Sequence, residues 1–506
     1  MLFRKILTLI CCFLTGGLII AQDFGFGFAE DDSAPKAASG SKLSASVGGE
    51  VSAAIIGYID DMKEGADNIN TREMFSLTGK LNFSAKTSFA EGVINLKFVP
   101  ALIPVSIDEA YIRAFFEGFE LTAGLLKLSW GKADQLGPLD VINLPDTSRL
   151  FLEMADNTNL MGVKLANPVV HASYRFGQFS KIELAFLPSF DIIGAAIQTA
   201  VTPMAEDNPM ALLLGSTSAR WIPDQMKLDE KNLLKSFPTV MMPEGNTVIA
   251  MSNLIMPEFS MLDHAQAGLR FTSSIGNADF GAQYFFGRMY QPAVKYALPT
   301  GSYDPANPKT YPTIEFLFNN YHQLGFDYAH VLWGFNIRAE IAANLTYDFT
   351  GDNAHIYNPS IAWSLGFDRN LFLGINLNLQ VNETIRLLDS KVGSSKEPFT
   401  DTGAINPNFD IEADSSLTST RITAMLSRKF LRDSLELRTA VVWGIEGKNN
   451  KKEWNGGDAA IIPALIWTKD DLRTALSGCF FVGDPEGQIG QYASNNFLKI
   501  SVAYVF

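Results

Sequence analysis

The sequence predicts an all-β fold: a transmembrane antiparallel β-barrel of about 16 to 18 strands, with an internal constriction loop and one long, partly helical loop. Three observations predict it. An apolar leader opens the chain, segments of about 9 to 12 residues alternate apolar and polar side chains, and tight turns take turns with long polar loops. The composition excludes other classes. With 506 residues, 47% hydrophobic and 19% charged, and 37 phenylalanines, the chain is too apolar and aromatic for disorder. Three cysteines are too few for a disulfide scaffold. A net charge of -14 without a basic block excludes nucleic acid as a partner, since phosphate affinity comes from clustered Lys and Arg.

The leader comes first. Arg4 and Lys5 precede an apolar run over 6–20, and Ala21 offers a small residue before a cut. Residues 1–21 therefore read as a signal peptide. Cys11 and Cys12 sit behind poor lipoboxes, so a lipoprotein is disfavoured, and after cleavage only Cys479 remains. Residues 22–42, with Phe24, Phe26 and Phe28 followed by Glu30, Asp31 and Asp32, read as a flexible N-terminal segment. Beyond the leader no apolar run reaches the ~18 to 20 residues that a spanning helix needs.

Alternation then runs through 43–506. Phe335, Ile337, Ala339, Ile341, Ala343 and Leu345 share one face, opposite Asn336, Arg338, Glu340 and Asn344. The stretches 75–85, 182–186, 371–381, 422–430, 435–443 and 498–506 behave alike. Their length suits a tilted strand crossing an apolar layer ~25 to 30 Å thick, with the apolar face toward lipid and the polar face toward a wet lumen. Lipid demands closure, because an open edge leaves backbone groups unpaired. Turns are expected at 117–118, 177–178, 276–277, 334, 369–370, 432–433 and 469–471, and long loops at 301–311, 351–359, 390–414, 447–458 and 483–496. Residues 43–58 and 160–176 divide ambiguously, leaving 16 or 18 strands open. The last strand, 496–506, carries Tyr504 and ends on Phe506. It resembles the C-terminal signal of bacterial outer-membrane barrels, which implies recognition by the barrel assembly machinery.

The most distinctive motif is Trp130-Gly131-Lys132-Ala133-Asp134, followed by Pro138-Leu139-Asp140-Val141-Ile142-Asn143-Leu144-Pro145-Asp146. It resembles the W-G-K-A-D … D-V-I-N-x-P-D signature of a porin-like family of bacterial outer-membrane proteins, although Leu144 stands where the family has proline directly after asparagine. The resemblance implies a channel. The residues have their own logic as well. Gly131, Gly137, Pro138 and Pro145 break the strand, while Asp134, Asp140, Asn143 and Asp146 cap turns. A loop over 130–160 is expected to fold inward and narrow the lumen, with Trp130, Lys132, Asp134, Asp140, Asn143, Asp146 and Arg149 as candidate constriction residues. A purely structural turn is the alternative.

Alternation points Lys80, Arg113, Arg338, Glu340, Arg386, Arg421, Glu436 and Arg438 into the lumen, with Arg338/Glu340 and Glu436/Arg438 as pairs sharing a face. Residues 191–260 lack alternation, are rich in methionine, and contain a possible amphipathic helix over 224–237; they read as a lid or a plug. The five histidines are scattered, and no nucleophile elbow, phosphate loop or metal spacing occurs, so neither catalysis, cofactor nor metal is expected. The expectation is a porin-like channel in the bacterial outer membrane, passing small solutes by diffusion, with membrane lipid, the assembly machinery and further copies of itself as partners. The alternatives are a transporter of hydrophobic substrates such as fatty acids, and a plugged barrel acting as an adhesin or structural protein.

Overall fold

In the computed structural model, the described residues are 43–59, 74–98, 105–143, 145, 147–156, 160–190, 239–241, 247–249, 253–255, 263–290, 293–297, 307–311, 313–388, 394–395, 406–413, 416–447, 457–483, 487 and 489–506. The signal peptide, the 22–42 segment, Asp146 and most of 191–260, including the helix expected over 224–237, lie outside them.

Eighteen strands form one sheet. The first seven are β1 (Ser44–Tyr58), β2 (Phe75–Lys86), β3 (Ala90–Phe98), β4 (Ser106–Phe116), β5 (Phe119–Leu126), β6 (Asn167–Phe176) and β7 (Ser180–Leu187). Next come β8 (Gln266–Ile275), β9 (Ala278–Arg288), β10 (Asn320–Leu332), β11 (Phe335–Thr346), β12 (Ser360–Asn370) and β13 (Ile375–Arg386). The last are β14 (Thr418–Phe430), β15 (Leu435–Gly447), β16 (Asp458–Lys469), β17 (Leu472–Gly483) and β18 (Phe497–Val505). Each pairs antiparallel with its chain neighbours, and β1 pairs with both β2 and β18, so the sheet closes and has no free edge. The seam continues to the last residue: the Gly49 amide donates to the Phe506 carbonyl at 2.8 Å, and the Phe506 amide to the Gly49 carbonyl at 3.0 Å.

Polarity is inverted relative to a soluble barrel. Leu324 is 53% and Ile341 49% exposed on the outer wall, while Gln266, Gln323, Gln380 and Asp327 are buried inside. This is the distribution of a barrel whose exterior solvent is lipid. Aromatic side chains mark both rims. Tyr284, Tyr347 and Trp443 stand exposed toward the long loops, and Tyr174, Trp333 and Tyr504 toward the short turns. Amphipathic rings at both ends of an apolar band fit the two interfaces of a bilayer. The fold is a transmembrane antiparallel β-barrel.

Two expectations need correction. The turn expected at 369–370 lies at 371–374, where Leu373 (φ 61°) and Gly374 (φ 69°) take left-handed conformations. β12 therefore runs on to Asn370, and β13 begins at Ile375 rather than 371. The register pairs Asn370 with Asn376, an even separation, so the even-odd phase carries through the turn and alternation ran through it unbroken. The interior is also not uniformly wet. Ala460, Ile462, Ala464 and Ile466 of β16 face inward and are buried. A helix, α1 (Thr147–Asp156), packs on this apolar patch through Phe151 and Ala155.

Candidate functional site

The segment between β5 and β6 turns into the lumen and crosses it. Its root is pinned by asparagines: Asn143 accepts the Leu128 amide at 2.7 Å and donates to the carbonyls of Leu126 (3.0 Å) and Leu165 (2.8 Å). Asn167 donates to the Ile142 carbonyl at 2.6 Å. Asp140 is ion-paired with Lys164, a side chain only 2% exposed, and Lys164 also donates to Ser129 Oγ at 3.2 Å. Burial pushes the Asp140 carboxyl upward against the opposing pull of Lys164. Trp130 is buried among Leu126, Ile142, Val169, Leu187 and Phe285, so it anchors the loop to the wall and does not edge a passage.

The far side of the lumen holds the loop by one carboxylate. Glu340 of β11 accepts the backbone amides of Lys132, Ala133 (2.7 Å) and Leu139 (3.3 Å). Gly131 (φ 100°) and Gly137 lie directly on that carboxylate, and a Cβ at either would collide with it. This gives the motif's two glycines a steric reason: the backbone must come within hydrogen-bond reach of Glu340. Nearby, Gln283 and Gln323 donate to the carbonyls of Leu139 (2.9 Å) and Pro138 (3.0 Å), and the Gln135 amide donates to Gln380 at 3.0 Å. Asp134 is ion-paired with Arg338, which also reaches Asp368 at 2.9 Å, and Asn378 donates to Asp134 at 2.8 Å. Burial holds the Asp134 carboxyl above the usual range, opposed by Arg338.

The chain then swings to the opposite wall as α1. Arg438 of β15 donates to the carbonyls of Ala155 (3.0 Å) and Met154 (3.4 Å), capping the negative end of the helix. Asp156 accepts from Ser477 (2.8 Å), Ser501 (2.9 Å) and Lys499 (2.7 Å). The segment thus touches the wall from β8 round to β18. Two cavities lie along the inner wall, the first under the loop and the second bordered by wall residues alone. One, of about 470 Å³, opens toward the long loops and is bordered by Pro138, Tyr290, Gln323, Asn344, Asn382 and Arg421. The other, of about 320 Å³, opens toward the short turns and is bordered by Asn336, Asp368, Asn370, Asn376 and Asn378.

The expected lumen residues take different stations. Arg338 and Glu340 share the inner face but bond the loop rather than each other. Arg113 pairs with Glu120 at 3.1 Å and Glu91 at 3.8 Å across neighbouring strands. Arg386 donates to the Glu412 carbonyl at 2.8 Å and so ties down the 406–413 loop at the mouth. Arg421 is exposed beside the larger cavity, whereas Lys80 and Glu436 are half-buried. Lys132 lies 3.8 Å from Asp279. The side chain of Arg149 lies outside the described residues. Sequence reasoning missed Lys164 and Asn167, whose partners lie in the irregular loop that precedes them, and Asp156, Lys499 and the buried Arg270–Asp327 pair (2.6 Å), whose partners are far away in sequence. An inward-phased charge within a largely apolar stretch, as at Lys499, was the available signal. Among the described residues, no group of three His, Cys, Asp or Glu side chains is placed to hold a metal ion.

No protein-family profile and no curated protein sequence matches the chain. Solved barrels do resemble it. OccK11 (OpdR) of Pseudomonas aeruginosa is 10% identical with a TM-score of 0.44, covering 92% of this chain and 96% of its own. OpdK of the same organism, crystallised with vanillate, is 8% identical with a TM-score of 0.46, covering 92% and 98%. Wzi of Escherichia coli, described as a carbohydrate-binding β-barrel of capsule assembly, is 8% identical with a TM-score of 0.44, covering 90% and 84%.

Proposed function

We propose that the protein is a porin-like channel of the bacterial outer membrane, through which small solutes diffuse past a constriction built by residues 130–160. The observation that carries the reading is the bridge from β5 to Glu340: a chain segment held across the lumen by the capture of three backbone amides. Preorganised polar loops fixed at mid-lumen set the size and charge of a passage. A leader over 1–21, an apolar exterior and two aromatic rims support the outer-membrane location. Tyr504 and Phe506, at the seam where β18 meets β1, serve the assembly machinery in this reading, and copies of the chain associate through the outer wall.

Asp134, Arg338 and Asp368 supply the constriction's charges, and Lys132 and Asp279 lie at its edge. A second reading, a plugged barrel whose surface loops act in adhesion or envelope structure, is favoured by the breadth of wall that the loop and α1 engage. Planar-bilayer recording of the refolded barrel separates the two. The channel reading predicts discrete conductance steps that grow when residues 134–146 are deleted; a folded barrel silent in both forms supports the plug.

A further inference from the structure

We propose that the lumen binds neutral polyhydroxylated solutes of the saccharide type along an amide and hydroxyl track on β13, a reading that rests on the channel function and names its substrate class. Asn376, Asn378, Gln380, Asn382 and Thr384 occupy five successive inward positions of this strand. They span eight residues, or about 26 Å at strand rise, linking the two cavities. None is charged, and each amide offers donors and an acceptor together, which is what adjacent sugar hydroxyls, themselves donor and acceptor, require.

The cavities extend the same chemistry sideways. At the short-turn end Asn336 and Asn370 join Asn376 and Asn378, and at the long-loop end Gln323, Asn344 and Ser419 join Asn382 and Thr384. Volumes of about 320 and 470 Å³ fall within the size range of small-molecule sites. The charges along the track are largely committed: Arg338 to Asp134 and Asp368, Asp140 to Lys164, and Arg288 to the Phe318 carbonyl at 2.8 Å. Arg421 and Glu383 also border the upper cavity, Glu383 accepting from Trp363 at 2.8 Å, and Arg369 borders the lower one, set over the Phe335 ring.

The loop itself shows what the track can bond. Gln380 accepts the Gln135 amide, and Asn378 donates to Asp134, so an N–H and an oxygen already sit where a solute's hydroxyls would act. A passing polyol exchanges for these contacts one at a time, so the amides stay paired throughout. An apolar solute would leave them unpaired, and a site built of hydrogen-bonding groups rejects such a ligand strongly.

The test is current block of the refolded full-length barrel by maltotriose, added to either side of a planar bilayer, with calorimetric titration of maltotriose into the same protein in micelles. Concentration-dependent block is expected, weakened about tenfold in Asn376→Leu and Asn382→Leu, with ionic conductance retained. Steady conductance untouched by maltotriose, or block equally strong in both variants, would overturn the proposal. Micellar binding without any conductance would preserve the track and sink the channel reading instead. A folded barrel that neither conducts nor binds maltotriose defeats both.

Discussion

At Glu340 a single carboxylate gathers the amides of Lys132, Ala133 and Leu139, and it lies 201 or more residues away from them in sequence. Replacing it by alanine leaves these donors without a partner inside the lumen, at about 1–3 kcal/mol for each one that water does not reach. Glu340→Ala is expected to loosen the loop, seen as larger and noisier single-channel current with the barrel still heat-modifiable. Asp134 governs a different property. Burial raises its pKa above the usual 3.8. Its contribution to the docked loop is therefore complete below 3.8 and fades as pH rises through the raised value, where it ionises. On acidification through that window Asp134 loses its charge while Arg338 keeps its own, so anion preference should increase from pH 7 toward pH 4. Reversal potentials in a salt gradient measure this, and Asp134→Asn should flatten the change.

At the level of elements, α1 shows why a barrel can carry an apolar inner wall. Phe151 sits edge-on to Phe481 at 4.9 Å and tilted against Tyr492 at 5.9 Å, closing a cluster with Ile462 and Cys479. Truncating Phe151 to alanine removes a buried ring and should cost about 3–5 kcal/mol, or somewhat less where the lumen refills with water. The denaturation midpoint in micelles reads that loss. This patch was hidden in the sequence, since alternation assigns residues to two faces and does not say that an inward isoleucine is covered by a helix from 300 residues earlier. Strands were legible because period two survives wherever one face meets lipid. The turns at 117–118, 177–178 and 276–277 were legible too, because glycine at positive φ closes each of them. The loop over 130–160 could be recognised as a strand-breaking motif, but its anchors could not: Lys164 and Asn167 precede or open the next strand, and Glu340 looked like half of a lumen-lining pair with Arg338.

For the whole molecule, exterior and interior obey opposite rules, and that opposition is measurable. Ile341 lies mid-strand on the outer wall, whereas Trp333 sits at a turn and is 84% exposed. Arginine at 341 should destabilise the barrel in lipid vesicles by about 2–4 kcal/mol, while arginine at 333 should cost about 0–1 kcal/mol. Equal costs at the two depths would contradict a bilayer around this wall. Whether a loop held by Glu340 narrows an otherwise open lumen is decided by single-channel conductance of the refolded protein beside a form lacking residues 134–146. Discrete steps are expected in the first and larger steps in the second, both from barrels that remain β-rich by circular dichroism. Identical conductance in the two folded forms, or none in either, would contradict that narrowing.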